Sequence, residues 1–308
     1  MLQYIKNNGV LCLKVRLNMF LSDKWKDYEL LDTSRGEKLE RWGNIVLRRP
    51  DPQIVWDVEE AKADPAWRKA DAHYIRSNTG GGHWESRKGM PESWTVSYRE
   101  LTFGIKMMGF KHTGLFPEQA TNWDWFSDII KKSGRKDVNV LNLFAYTGGA
   151  TMAAAAAGAS VCHVDASKGM VSWAKENAHL SGLENRPIRY IVDDVKKFTE
   201  REIRRGRKYD AVIMDPPSYG RGPSGEVWKI EDELFDLVKL CMGVLSDEPL
   251  FFLINSYTTG LSGGVLENIY KMTLQKKFGG TVAVDEVGLP VTKHNLVLPC
   301  GYSGRWSR

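Results

Sequence analysis

The sequence predicts an α/β protein: a mostly parallel, seven-stranded sheet that closes in an antiparallel hairpin, preceded by a small β-rich unit. Three observations carry this expectation. From residue 138 onward, short apolar runs alternate with amphipathic stretches, the pattern of a parallel sheet covered on both faces by helices. Four consecutive apolar runs end in polar residues, as strands do when their carboxyl ends form a site. The last two runs, 281–287 and 295–299, lie too close for an intervening helix and so should pair antiparallel.

Within that frame, 138–144 reads as the first strand, 150–157 as a helix ended by Gly158, and 159–164 as the second strand. Residues 168–180 form a helix with Met170, Val171, Ala174 and Ala178 on one face, and Gly182 stops it. The third strand is 188–192, followed by a basic helix to about Gly206. The fourth strand is 209–214, then come a long helix over 228–245, the fifth strand at 250–254 and a helix over 265–278. Ahead of the sheet, residues 27–56 and 94–106 have strand character, punctuated by Gly36, Gly43 and Pro50, while 57–72 is compatible with helix. A further helix is expected over 121–132. The domain boundaries follow as 1–26, an N-terminal extension without order; 27–110, a small Trp-rich β unit; and 111–308, the main unit.

Composition narrows the function classes. The 308 residues are 42% hydrophobic and 26% charged, which is globular, and no uninterrupted apolar run reaches transmembrane length. Lys14 and Arg16 break the apolar start, which argues against a secretory signal, and Met19 offers an alternative start. Cys12, Cys162, Cys241 and Cys300 are far apart with no CxxC pair, so neither a metal site nor a disulfide framework is expected. A reducing cytoplasm is the default compartment. The net charge is +5, and residues 131–210 carry fifteen Lys/Arg against nine Asp/Glu. The dense run Arg201, Arg204, Arg205, Arg207, Lys208 fits a polyanion-binding face, but a solvated helix face is the commoner meaning. Eight of the eleven tryptophans precede residue 126, interleaved with Arg and Lys. They fit either base stacking or the core of a small sheet, with one or two exposed.

The chemistry gathers at the strand ends. Asn142, Phe144, Tyr146, Thr147, Gly148 and Gly149 surround the turn after the first strand. That turn lacks G-x-G-x-x-G, and bulky Tyr146 stands where close approach to a pyrophosphate needs a small residue; the lysine of a P-loop is also missing. Asp165 lies 17 residues beyond Gly148, near the offset at which a carboxylate meets a ribose hydroxyl pair. Ala166 and Ser167 follow it. Asp194 is placed to accept from an adenine amino group with Val195 against the ring, while one of Asp193 and Asp194 could cap the next helix. Adenosine without phosphate describes S-adenosylmethionine, whose carboxylate the Thr147-Gly148 backbone could receive. Asp215-Pro216-Pro217-Ser218-Tyr219 is a stiff loop whose carboxylate and carbonyls can accept from a base edge, with Tyr219 offering a ring for stacking.

Leu143-Phe144-Ala145-Tyr146-Thr147-Gly148-Gly149, Val164-Asp165-Ala166-Ser167-Lys168 and Asp215-Pro216-Pro217-Ser218-Tyr219 resemble the SAM-dependent methyltransferases of bacterial large-subunit (23S) ribosomal RNA, the group that makes 5-methylcytosine and 7-methylguanine. The stretch from Gly220-Arg221-Gly222-Pro223 to Trp228-Lys229 looks like that family's loop after the motif. The resemblance implies a Rossmann-like class I methyltransferase fold over 111–308, S-adenosylmethionine as cofactor and RNA as partner. It also implies that Gln119, within Thr113 to Gln119, lies near the cofactor.

The chain departs from the family in three ways. No PUA-like domain is recognisable, and the family's Asp-Gln-Arg is Glu118-Gln119-Ala120 here. The loop after the fifth strand reads Asn255-Ser256-Tyr257-Thr258-Thr259, without the cysteine that cytosine-C5 methylation needs. Transfer to a base nitrogen remains, with Asp215, Pro216, Pro217 and Tyr219 as the catalytic group. The rival readings are a methyltransferase of small molecules or proteins, a nicotinamide dehydrogenase disfavoured by the missing glycine motif, and a non-catalytic RNA-binding module.

Overall fold

Order in the main sheet comes from residues that bury both of their faces. The computed structural model describes residues 3–7, 10–14, 19–78, 80–221 and 227–308; Gly222 and Pro223 of the family-like loop lie outside the described residues. β1 (Gln3–Asn7) and β2 (Val10–Lys14) pair antiparallel, and β3 (Met19–Leu21) follows. β4 (Tyr28–Ser34), β5 (Glu37–Trp42), β6 (Ile45–Pro50), β7 (Ala72–Arg76) and β8 (Gly82–Ser86) form a five-stranded sheet in chain order. Between β6 and β7 lie two short helices, α1 (Glu59–Ala63) and α2 (Pro65–Arg68). β9 (Ser93–Tyr98) and β10 (Leu101–Lys106) make a separate hairpin, and α3 (Ala120–Lys132) leads into the main sheet.

That sheet is built from β11 (Asn139–Leu143), α4 (Gly149–Ala156), β12 (Ser160–Asp165), α5 (Lys168–Leu180), β13 (Ile188–Val192), α6 (Val195–Arg204) and β14 (Ala211–Met214). A short hairpin, β15 (Tyr219–Arg221) and β16 (Val227–Lys229), precedes α7 (Ile230–Met242) and β17 (Phe251–Ser256). Next come α8 (Gly263–Tyr270), a π-helical turn (Lys271–Gln275), α9 (Lys276–Phe278), β18 (Thr281–Pro290) and β19 (Val297–Ser307). The strand order is β13-β12-β11-β14-β17-β19-β18-β3. The first five strands in that order are mutually parallel, while β19 is antiparallel to both β17 and β18.

Alternation along the strands explains the apolar runs. Val140, Val161, Ala211, Ile213, Phe251 and Leu253 face one hydrophobic core, while Leu141, Cys162, Val212, Met214, Phe252 and Ile254 face the other. The first core also takes in Phe126 and Met152 from α3 and α4, and Tyr28, Leu30, Trp42, Leu47, Val96 and Phe103 from the smaller sheet and hairpin. The small β-rich part is therefore packed through a common apolar interior onto the face of the main sheet that carries α3 and α4. All eight early tryptophans are buried or half-buried, so none stands out as a stacking platform. The basic helix is a solvated face, largely paired: Arg201 binds Asp193, Arg205 binds Glu202, and Lys196 binds Glu233.

Three segments differ from the sequence expectation. Residues 19–25 belong to the fold: β3 adds an eighth strand parallel to β18, and Ser22 Oγ (2.7 Å) and Trp25 Nε1 (2.9 Å) both donate to the Pro117 carbonyl. The helix expected from 228 starts at Ile230, because Val227–Lys229 is taken up by pairing with Tyr219–Arg221. The last strand runs to Ser307, well beyond 299. Its glycines and Arg305 look unlike strand text, but Gly304 is needed where the Tyr270 ring packs against the chain; a Cβ there would come within 2.4 Å of it. Arg305 is buried with its guanidinium 3.6 Å from the Phe20 ring centroid.

The small sheet carries a buried ion pair. Arg49 donates to both oxygens of Glu40, at 2.6 and 2.9 Å, and Tyr28 Oη donates to Glu40 at 2.8 Å. Burial alone would raise the Glu40 pKa, but Arg49 and then Lys38 outweigh it and hold the carboxyl down at about 2. Its contribution to stability is therefore full above the ordinary glutamate value, about 4.3, and is lost as pH falls from there toward 2. Glu40→Gln should cost on the order of 3–5 kcal/mol and flatten the acid dependence of unfolding in that window. Urea midpoints measured against pH for both proteins check this; equal midpoints would contradict it.

Candidate active site

The loop after β11 holds an unusual backbone. Phe144 at φ 54° and Tyr146 at φ 51° lie in the left-handed region, where bulky residues are rare and each costs on the order of 1–3 kcal/mol. Several hydrogen bonds fix it. Ala145 N donates to the Val164 carbonyl (3.0 Å), Tyr146 N to Asp165 Oδ2 (2.8 Å), and Thr147 Oγ1 to the Gly114 carbonyl (2.5 Å). Asn177 Nδ2 donates to the Thr147 carbonyl at 2.8 Å. Gly148 has φ 85°, and a Cβ there would lie 3.0 Å from that of Ala174; one on Gly149 would lie 2.7 Å from the Trp123 ring. The adjacent glycines thus let α4 sit close to α3 and α5.

Outside the carboxyl ends of the strands lies a cavity of ≈ 730 Å³. Phe144, Tyr146, Asp165, Ala166, Ser167, Asp194 and Val195 line it, as do Asp215, Pro216 and Pro217. A smaller space of ≈ 50 Å³ behind it is lined by Gln119, Asn142, Thr147 and Gly149, and shares Phe144, Tyr146 and Asp215. Gly148 and Tyr219 line neither.

Each Asp165 oxygen accepts one backbone amide, from Tyr146 and from Ser167, both at 2.8 Å. A carboxylate oxygen accepts more than one bond, so both can still receive a ribose hydroxyl. Burial raises the Asp165 pKa, opposed by those two amides. The neighbouring acids divide their tasks. Asp193 pairs with Arg201, while Asp194 caps α6 by accepting from Lys197 N (2.9 Å) and also lines the cavity beside buried Val195. Asn142 is tied inward: its Nδ2 donates to Thr151 Oγ1 (2.9 Å), which in turn bonds His163 Nδ1 (2.9 Å). On this side the cavity presents carboxylates and apolar groups, which suits an adenosine ligand without phosphate.

Asp215 begins the second wall. Burial first, and the Glu118 carboxylate second, push its pKa up to about 7. The Pro217 carbonyl is taken by Trp228 Nε1 at 2.6 Å, and Ser218 Oγ by Thr258 Oγ1 at 2.7 Å. Tyr219 does not take the stacking place expected of it. It sits in β15 opposite Lys229, 51% exposed, and the aromatic ring that this hairpin brings to the cavity is Trp228, 5.4 Å from Phe144. The pairing of β15 with β16 turns Tyr219 away and brings Trp228 in.

The third wall escaped sequence reasoning. Lys38, Arg49, Asp51, Gln53, Lys111 and His112 come from the small sheet and the segment after β10. Nothing in their local sequence marks them, because only the tertiary packing brings them to the cavity. Glu118, Tyr257 and Cys300 also line it; the first two had a signal, lying in stretches compared with the family for other reasons. Burial above all, then the Glu118 and Asp51 charges, push the Cys300 thiol well up, against Lys38.

Comparison with known proteins places this geometry. The family model described as S-adenosylmethionine-dependent methyltransferase matches residues 48–240. A solved SAM-dependent methyltransferase from Agrobacterium tumefaciens is 35% identical with a TM-score of 0.87, covering 100% of this chain and 98% of that one. The ribosomal RNA large subunit methyltransferase K of Neisseria meningitidis serogroup B is 30% identical over 227 residues, which is 71% of this chain and 62% of the relative. The K/L protein of Shewanella frigidimarina is 29% identical over 203 residues, and there the match spans only 25% of the relative's length. This chain belongs to the S-adenosylmethionine-dependent methyltransferase family, and S-adenosylmethionine is its cofactor.

Proposed function

We propose that the chain transfers the methyl group of S-adenosylmethionine to a base nitrogen of RNA, with large-subunit ribosomal RNA as substrate, in the cytoplasm. The observation that carries this reading is the juxtaposition in one cavity of Asp165 and Asp194 with the Asp215-Pro216-Pro217 wall. The names of the curated relatives support the substrate class. No helix among the described residues is long and apolar enough to cross a membrane.

In this reading Asp165 holds the ribose hydroxyls, Asp194 the adenine amino group, and Val195 and Phe144 the faces of the ring. Gln119, Asn142, Thr147, Gly148 and Gly149 shape the loop beneath, with Tyr146, Ala166 and Ser167 closing its sides. The cofactor supplies a methyl group already activated on a sulfonium. The protein's part is to align the accepting nitrogen and exclude water. Asp215, as the carboxylate, accepts from the base edge and orients it, with Pro216 and Pro217 keeping that wall stiff. We read 111–308 as the methyltransferase unit and 27–110 as the part that supplies the substrate-side wall.

A nitrogen acceptor is favoured over carbon by the state of the one cysteine at the cavity. A thiol held far from ionisation is a poor nucleophile, and methylation of a pyrimidine carbon requires one. Cys300→Ala should therefore leave the methylation rate within about twofold. Loss of turnover in that variant, with a covalent RNA adduct in the parent, would reverse the reading.

Asp215→Asn should bind S-adenosylmethionine as the parent does and lose turnover by on the order of 100-fold or more. Calorimetry for binding and S-adenosylhomocysteine release for turnover separate the two effects, and retained turnover would remove Asp215 from the mechanism. A carboxyl with pKa about 7 is protonated below that value. Turnover at saturating cofactor should accordingly rise with pH through about 7 and flatten above it, and an acid limb near 4 would contradict this.

A further inference from the structure

One buried hydrogen-bond chain runs from β19, which lies between β17 and β18 in the sheet, to the substrate side of the cavity. Arg305 can only donate, and its Nε donates to Asn122 Oδ1 at 2.8 Å. That contact fixes the Asn122 amide, so its nitrogen must donate, and it does: to Gln119 Oε1 (2.8 Å), Ser303 Oγ (2.8 Å) and Asn255 Oδ1 (3.2 Å). With its oxygen occupied in this way, Gln119 presents its nitrogen to Tyr257 Oη at 2.6 Å. The hydroxyl of Tyr257 thus accepts from Gln119, which leaves its own proton for the nearby Glu118 carboxyl, whose charged form it favours. Every amide in the chain has one allowed orientation, and the direction is set by a cation on β19.

Glu118 itself is 6% exposed yet lines the cavity. Its surroundings come from several elements. Lys38 and Arg49 face it from the small sheet and Tyr28 from β4, Tyr257 and Cys300 from the main sheet, and Asp215 from the loop after β14. Arg49 is already committed to Glu40 at 2.6 Å, and Lys38 is shared between Glu40 and Asp51 at 3.7 and 3.2 Å. No side-chain cation lies within ion-pairing distance of Glu118 among the described residues; its own backbone amide and Tyr257 are its donors, and a carboxylate that lines the cavity keeps further lone pairs for a ligand.

We infer that Glu118 is a second substrate-gripping carboxyl, which with Asp215 takes the hydrogen-bond-donating edge of the target base, and that Arg305, Asn122, Gln119 and Tyr257 are positioning residues that aim it. This rests on the reading of the site as an RNA base methyltransferase. It adds the chemistry of the acceptor: a base that presents amino or ring N–H donors to the pair, rather than one that presents only acceptors. Burial raises the Glu118 pKa, opposed by Lys38, its own backbone amide and Tyr257; as the carboxylate it accepts from the base, and its charge delays the ionisation of Asp215.

The test compares pH profiles of S-adenosylhomocysteine release on unmodified large-subunit rRNA for the parent, Glu118→Gln, Glu118→Asp and Tyr257→Phe. Removing the Glu118 charge relieves the repulsion on Asp215, so the acid limb of Glu118→Gln should move to lower pH by about one unit. KM for RNA should rise while the affinity for S-adenosylmethionine stays as in the parent. Tyr257→Phe should move the limb the same way by less, and Glu118→Asp should restore it toward the parent. An unmoved limb in both Glu118→Gln and Tyr257→Phe, or a loss of cofactor binding in Glu118→Gln, overturns the inference. Should Glu118→Gln not fold, the Tyr257→Phe limb decides alone. If the parent itself transfers no methyl group to RNA, it is the underlying functional reading that fails.

Discussion

The cavity depends on holding two bulky residues in a left-handed backbone. Phe144 and Tyr146 would relax to extended conformations in a free chain. They are kept in place by the Asp165 carboxylate, the Asn177 amide and the carbonyls of Val164 and Gly114, contributed by the next strand, the next helix and the segment before α3. The carboxylate that fixes the loop also lines the cavity, so in the proposed reading cofactor recognition and loop geometry share one group. Strain of this kind persists only where the surroundings over-determine it, and here four hydrogen bonds from three other parts of the chain do so.

Electrostatics join the small sheet to the chemistry. The Arg49–Glu40 pair is buried, its charges satisfied within the sheet, and the apolar core it sits beside is the one under β11 and β14. From there the influence passes by proximity: Arg49 and Lys38 act on Glu118, and Glu118 acts on Asp215. Residues 19–25, bound to the Pro117 carbonyl, fix the backbone next to Glu118. The Trp-rich part of the chain, whose composition fits either base stacking or a sheet core, keeps its tryptophans inside and contributes Lys38, Arg49, Asp51 and Gln53 to the cavity lining.

Much of this was legible in the sequence because the parallel strands are buried on both faces and therefore read as uninterrupted apolar runs. The polar residues that follow those runs mark the strand ends, which is why the sequence singles out Asp165, Asp194 and Asp215, and all three line the cavity. Where side chains act through partners distant in sequence, the text was silent. The long last strand was hidden by its glycines, of which Gly304 makes room for Tyr270, and by a buried arginine over Phe20. Tyr219 was misplaced because the short hairpin that turns it outward has no apolar alternation to announce it. The adjacent glycines were noticed for the right loop but owe their identity to the packing of α4 on Trp123 and Ala174.

Most direct is the fate of a deuterated methyl group. Large-subunit rRNA from cells lacking the protein, incubated with the purified chain and S-adenosylmethionine labelled in its methyl group, would be digested to nucleosides and analysed by mass spectrometry. The account predicts label on a nitrogen of a single base type and none in ribosomal protein. Label on a pyrimidine carbon, or methyl transfer confined to protein or small molecules, would contradict it.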